Sequence, residues 1–114
     1  MWNIIACQFP THTNPNGQEL SILVDSNSLK IHPHDNMPSG KITFILLVDG
    51  SRLQTGLGIT LDFKRNSDGI MYVEKDSLDV TNEVSDARYY FKKQLNDFLK
   101  EIQKLYPNTR VPYV

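Results

Sequence analysis

The chain has 114 residues, of which 39% are hydrophobic and 22% are charged, and its formal net charge is −1. This length fits a single domain, 1–114, that can bury a core, and the mixed composition excludes a disordered chain. A net charge close to zero gives the whole molecule no attraction to polyanions, so neither nucleic acid nor a membrane is expected as a partner.

The chain carries no signal for export or for membrane insertion. Its first residues lack the basic region and the apolar stretch of a signal peptide. The longest apolar run, residues 42–48, is much too short to span a bilayer. We therefore predict a cytoplasmic protein. The single cysteine, Cys7, excludes an intramolecular disulfide.

Short apolar segments separated by turn residues predict a sheet over the first two thirds of the chain. Segment 41–49 is apolar on both faces, which places it in the centre of the sheet, whereas 57–64 alternates apolar and polar residues. Since short turns join antiparallel strands, the pattern predicts an antiparallel meander of five to six strands. The predicted strands are 2–9, 19–24, 29–32, 41–49, 57–64 and 70–74, with loops at 10–18 and 33–40 and turns at 25–28, 49–51 and 66–69.

From about Asn82 the apolar period changes to three or four residues, which predicts one long amphipathic helix that ends before Pro107. The candidates for its N-cap are Thr81, Asn82 and Ser85. A helix packed on one face of an antiparallel sheet makes the predicted fold class α+β. The predicted core-facing residues of the helix are Val84, Ala87, Phe91, Leu95, Phe98, Ile102 and Leu105.

One loop has the chemistry of a metal site. His32 and His34 lie two residues apart, so on an extended chain they point the same way, and Asp35 follows them. His12 and Cys7 are candidates for further ligands. A plain polar loop explains the same residues, and the motifs of nucleophile elbows, zinc proteases and P-loops do not occur. We predict no cofactor, no metal and no enzymatic activity, and keep a small metal-dependent or thiol enzyme as an alternative.

Charge is distributed unevenly along the chain. From Asp68 to Asp86 the sequence has six acidic residues and one basic residue, Lys75, which gives a local charge of −5. Either this segment is a solvated connection that leads into the helix, or it is a docking surface for a basic partner. The six acidic residues are Asp68, Glu74, Asp76, Asp79, Glu83 and Asp86.

The acidic segment motivates the leading functional hypothesis. We expect a non-enzymatic protein-binding module, such as a toxin-neutralising immunity protein, that inhibits its partner by docking on it. The partner would be another protein with a basic surface, for example a toxin domain. The alternative is a structural or adaptor subunit that forms a homo-oligomer through a sheet edge or through the helix. The oligomeric state is left open.

Overall fold

The structure is a computed structural model that describes residues 9–33, 37–50, 57–67, 70–79 and 86–112, with the side chains of 75–79 excepted. In these ranges all strand pairings of the sheet are antiparallel, and one helix packs against the sheet, so the predicted α+β class is confirmed. The elements are β1 (His12–Thr13), β2 (Glu19–Asp25), β3 (Leu29–Ile31), β4 (Pro38–Val48), β5 (Leu57–Arg65), β6 (Met71–Asp79) and α1 (Ala87–Leu105).

The strands follow the order β1-β2-β4-β5-β6, and β3 also pairs with β4. β2 and β3 lie end to end along β4, because Asp25 pairs with Thr43 and Leu29 pairs with Gly40. Three residues, 26–28, separate Asp25 from Leu29, whereas only two residues, 41 and 42, separate Gly40 from Thr43 on β4. One extra residue on one strand is the geometry of a β-bulge. The turn predicted at 25–28 is present, since the backbone N–H of Leu29 donates to the carbonyl of Ser26 over 3.0 Å. It bends the chain without reversing it, because β2 and β3 both run antiparallel to β4.

Gly40 lies where β4 faces this bulge. Its φ is +98°, a conformation that side chains with a Cβ rarely adopt, and a Cβ there would collide with the backbone carbonyl of Ser28. The close approach of the two backbones thus requires glycine at this position.

Alternation along β4 separates the sheet into two faces. Ile42, Phe44, Leu46 and Val48 are at most 1% exposed, whereas the intervening residues 43, 45 and 47 are half-buried. The buried set faces α1, as shown by the ring centroids of Phe44 and Phe98, which lie 5.1 Å apart in an edge-to-face arrangement. We call this the core face and the opposite side the outer face. The predicted central position of this strand is confirmed.

The helix begins at Ala87, five residues later than the predicted start at Asn82. Asp86 adopts φ 62° and ψ 0°, a left-handed conformation that cannot continue a right-handed helix, so it marks the boundary. The prediction for Leu105 was wrong, because 39% of this residue is exposed. The buried helix residues are Ala87, Tyr90, Phe91, Leu95, Phe98, Leu99 and Ile102.

Three further boundaries differ from the sequence predictions. The loop predicted at 10–18 contains the short strand β1, and the loop predicted at 33–40 ends earlier because β4 begins at Pro38. The strand predicted at 70–74 extends to Asp79, paired with β5 along its whole length.

Residues 2–8 of the first predicted strand and the three N-cap candidates lie outside the described residues. In the described ranges, α1 is not apolar over enough of its length to cross a bilayer.

Candidate functional site

The histidines singled out in the sequence do not come together. His32 is exposed at the end of β3, where its backbone N–H donates to the carbonyl of Met37 over 2.8 Å, and His34 and Asp35 lie outside the described residues. His12 pairs with Leu20 at the far end of β2, on the order of 30 Å away along the strand. His12 and His32 therefore cannot share a metal ion. Cys7 also lies outside the described residues.

The residues that the structure describes contain no group of three or more His, Cys, Asp or Glu residues that could hold a metal ion. His12 has a different environment, because its ring stacks on that of Tyr90 with a centroid distance of 6.0 Å and an interplanar angle of 19°. The Tyr90 hydroxyl donates to the carbonyl of Pro10 over 2.7 Å. These contacts attach the start of the described chain to the helix.

The predicted acidic segment is divided between a strand and a helix boundary. Glu74, Asp76 and Asp79 belong to β6, so this part is not the solvated connection that the sequence also allowed. Asp86 precedes α1, beside a groove that also contains His12 and Tyr89. Glu74 lines a different groove on the outer face. Asp68 and Glu83 lie outside the described residues.

The groove that contains Glu74 is the candidate functional site. It crosses four strands and the bulge of the sheet, and its volume is about 400 Å³. Strand register positions its side chains in rows, since Lys41 pairs with Asp62, and Asp62 pairs with Glu74. We call it the outer-face groove, and its lining residues are Asp25, Ser28, Lys41, Thr43, Thr60, Asp62 and Glu74.

A second row of the groove is polar and ordered by hydrogen bonds. The hydroxyl oxygens of Thr43 and Thr60 lie 3.0 Å apart across neighbouring strands. Asp25 pairs with Thr43, and its carboxylate accepts a hydrogen bond from the backbone N–H of Asn27 over 3.1 Å. Asp76 occupies the register position opposite Thr60. The hydrogen bonds of Thr43, Thr60 and Asp25 hold acceptor oxygens at fixed places on the sheet.

Lys64, at the rim of the groove, contacts two of its carboxylates. Its ammonium lies 2.8 Å from the carboxylate of Glu74 and 3.7 Å from that of Asp62. The hydrogen bond and the negative charge of Glu74 raise the pKa of Lys64 above its usual range. Because these side chains are partly exposed, water screens the attraction, and a competing cation from another molecule can replace Lys64.

The lining of the groove defines which chemistry it can perform. It contains three carboxylates, three hydroxyl side chains and one lysine. Such a set accepts hydrogen bonds from cationic side chains and attracts positive charge. The lining includes neither a histidine nor a cysteine, so the groove suits binding better than nucleophilic or general base catalysis by those groups.

Sequence reasoning identified Glu74 and missed Asp25 and Asp62. The three residues lie on β2, β5 and β6, and only the strand register brings them into one groove. A signal was present for Asp62, because the alternation in 57–64 already placed it on the solvent-facing side of its strand. No comparable signal linked Asp25 to that strand.

Comparison of the chain with models of known protein families, with curated protein sequences and with solved structures found no match. The geometry and the charge of the outer face are therefore the features that indicate a function.

Proposed function

We propose that the chain is a non-enzymatic protein-binding module, a small inhibitor of the kind represented by toxin-neutralising immunity proteins. Its partner is another protein, and a basic surface of that partner docks on the outer-face groove. One observation carries the proposal: Glu74, from the acidic segment, shares the sheet face opposite α1 with the carboxylates of Asp25 and Asp62.

Several carboxylates on a rigid sheet favour association in two ways. Their summed field steers a basic partner toward the groove and raises the association rate, which falls again as salt screens the charges. Their fixed positions also reduce the entropy that is lost when a lysine or arginine of the partner binds. Lys64 occupies the carboxylates of Glu74 and Asp62 in the free chain, so docking exchanges one cation for another.

One other member of the acidic segment extends the proposed surface along β6. Asp76 lies two residues from Glu74 and pairs with Thr60, so its register position belongs to the outer face. Asp79 pairs with the buried Leu57, so its register position belongs to the core face. The contribution to binding of Asp76, and that of Asp68, Asp79, Glu83 and Asp86, remains a prediction. The cytoplasmic location also remains a prediction.

The test starts with affinity capture of the tagged chain from its host lysate, together with co-expression of the product of the neighbouring gene. With the captured partner, association rates are measured by surface plasmon resonance at low and high salt for Asp62→Asn/Glu74→Gln. We expect association at low salt to slow about tenfold or more and its salt dependence to weaken.

The matched control is Asp97→Asn/Glu101→Gln on α1. It also removes two negative charges and also breaks lysine contacts, those of Lys93 and Lys104 at 3.0 and 3.3 Å. We expect this variant to bind as the unmodified chain does. Equal effects of the two double variants would show that net charge alone matters, and an unchanged rate for the groove variant would refute the proposal.

A second candidate function is the homo-oligomeric adaptor, which the position of β6 favours. Among the described strands, β6 is an edge strand of the sheet. Within the described ranges, only its start has a backbone contact on the open side, where the N–H of Val73 donates to the carbonyl of Arg110 over 3.0 Å. An edge strand can pair with a second copy. Sedimentation velocity over a hundredfold concentration range separates this candidate from a monomeric inhibitor. For the enzyme alternative, nothing in the described part of the chain adds support.

A further inference from the structure

Aliphatic side chains continue the outer face beyond the groove. Leu23 and Ile45 are direct cross-strand partners, and Leu47 lies two residues further along β4 on the same face. Leu23 is 44% exposed, and Ile45 and Leu47 are half-buried. We call these three residues the outer apolar strip.

Packing of the core does not require this strip. The core face of β4 is already buried against α1 by Phe44 and its neighbours, while the strip points to the opposite side. The solvated face of an antiparallel sheet is usually polar, since exposed aliphatic groups lose the free energy that burial would provide. Grouped aliphatic side chains on such a face are typical of an interaction site.

The strip is continuous with the carboxylates of the groove. Ile45 and Thr43 are alternate residues of β4, so they lie about 7 Å apart on the same face, and Thr43 pairs with Asp25. A partner that contacts the strip therefore meets negative charge within one side-chain length.

Gly58 leaves space beside the strip. It pairs with Ile45 across the sheet, and among the described residues a Cβ at this position would contact the carbonyl oxygen of Phe44, at 3.5 Å, an ordinary van der Waals distance. Because glycine has no side chain, it leaves the outer-face position next to Ile45 without one. An aliphatic side chain from outside can occupy this position.

We propose that the outer apolar strip binds an aliphatic side chain of a partner segment whose neighbouring lysine or arginine pairs with the carboxylates of the outer-face groove. The inference rests on the proposed function, because both contacts belong to the same basic partner. Charge complementarity supports this occupant over a second copy of the chain. The groove lining has three carboxylates and one lysine, so two copies stacked on this face would bring like charges together.

The probes are three alanine-based helical peptides of 14 residues. The first presents leucine and arginine at positions i and i+4 of one face, which places them about 6 Å apart. The second has glutamine in place of leucine, and the third has glutamate in place of arginine. Binding is followed by backbone amide chemical shifts of the full chain. We expect the first peptide to shift the amide signals around Ile45 and Gly58. The second peptide should bind with an affinity that is lower by about tenfold or more.

The variant Gly58→Val places a side chain at this position next to Ile45 and leaves every charge in place. Valine favours strands more than glycine does, so the melting temperature should stay equal or rise while the affinity for the first peptide falls about tenfold. Gly17→Ala is the control, because a Cβ there meets no atom of the described residues within 4 Å and Gly17 lies outside the strip and the groove. This variant should keep the affinity of the unmodified chain.

Three outcomes would overturn the proposal: equal affinity for the leucine and glutamine peptides, unchanged affinity of Gly58→Val, or no binding of the first peptide at 1 mM. Dimerisation that Ile45→Glu abolishes would also overturn it, by identifying a second copy as the occupant. The glutamate peptide tests the proposed function separately. If it binds as well as the arginine peptide while the leucine dependence remains, acidic docking is wrong although the strip binds.

Discussion

The two faces of the sheet differ although the same strands form both. On β4, Leu46 is fully buried on the core face, while its neighbour Leu47 is half-buried on the outer face. The core face packs against α1 through interlocking apolar side chains, including the rings of Phe44 and Phe98. The outer face combines aliphatic, hydroxyl and carboxylate groups in rows set by strand register.

In the proposed function, this difference lets one apolar strand serve stability and recognition together. Alternation assigns successive residues to opposite faces, so a run of leucines and isoleucines divides its burial between them. Only one half of that run contributes to the core in the free chain. The other half is the part that a partner contacts in the proposed function.

The largest expected contrast is between Leu46→Ala and Leu47→Ala. The first variant leaves a cavity in the packed core and should lower the free energy of unfolding by about 2–5 kcal/mol. The second removes a half-buried side chain next to solvent and should cost roughly 1 kcal/mol or less, because the site leaves no closed cavity. Urea denaturation of both variants measures the contrast. Similar losses would mean that the outer face is buried as deeply as the core.

The next effect concerns the backbone at Gly40. Gly40→Ala should lower the free energy of unfolding by about 2 kcal/mol or more, because the positive φ and the collision with Ser28 both oppose a Cβ. Gly17 has a similar φ, +80°, but no atom in the described part of the chain lies within 4 Å of a Cβ placed there, so Gly17→Ala should cost only about 1 kcal/mol. Thermal unfolding of the two variants separates the collision from the dihedral preference. A Gly40→Ala variant as stable as Gly17→Ala would show that the bulge adjusts.

Periodicity predicted the parts of the fold that depend on local pattern. Alternation located β5, and a run that is apolar on both faces located the central strand β4. The three-to-four residue period located α1 and most of its buried face. The bulge between β2 and β3 was missed, because it depends on the pairing of both strands with β4 and not on a local sequence. The late helix start was missed because Asp86 adopts a left-handed conformation that its residue type permits but does not require.

The candidate site was predicted only in part, for a related reason. A run of acidic residues is visible in the sequence, and Glu74 was identified from it. The groove needs Asp25 and Asp62 as well, and their proximity follows from the register of four strands. Charge along the chain therefore indicated the sign of the surface but neither its composition nor its place. The aliphatic residues of the outer apolar strip were visible too, but their exposure depends on which face the helix covers.

A smaller effect compares two neighbouring tyrosines of α1. Tyr90→Phe removes the hydrogen bond to the carbonyl of Pro10 and should lower the free energy of unfolding by about 1 kcal/mol at pH 7. Tyr89 is 72% exposed, so Tyr89→Phe should leave stability nearly unchanged. Chemical denaturation measures both. A loss for Tyr89→Phe as large as that for Tyr90→Phe would indicate a contact of the exposed ring that contributes to folding.

The pH dependence of the Tyr90 effect has a defined sign. Burial raises the pKa of Tyr90, so its hydroxyl stays protonated in the fold at a pH where an unfolded tyrosine, with a pKa of about 10, ionises. The stabilising contribution is complete below pH ~10 and is lost as pH rises through the higher folded-state pKa. The advantage of the unmodified chain over Tyr90→Phe should shrink as the pH is raised above about 10, the unfolded value. An advantage that grows with pH would contradict this sign.

The smallest expected effect on stability is that of Glu74→Gln on the outer face. Its contact with Lys64 is short, at 2.8 Å, but both side chains are about half exposed, at 53% and 43%. Exposed ion pairs contribute little, so the free energy of unfolding should stay nearly unchanged, and any difference should vanish at about 1 M salt. Urea denaturation at low and high salt provides the measurement. A clear loss of stability that persists in salt would mean that Glu74 supports the fold itself. The outer face would then no longer be the side of the sheet left for a partner.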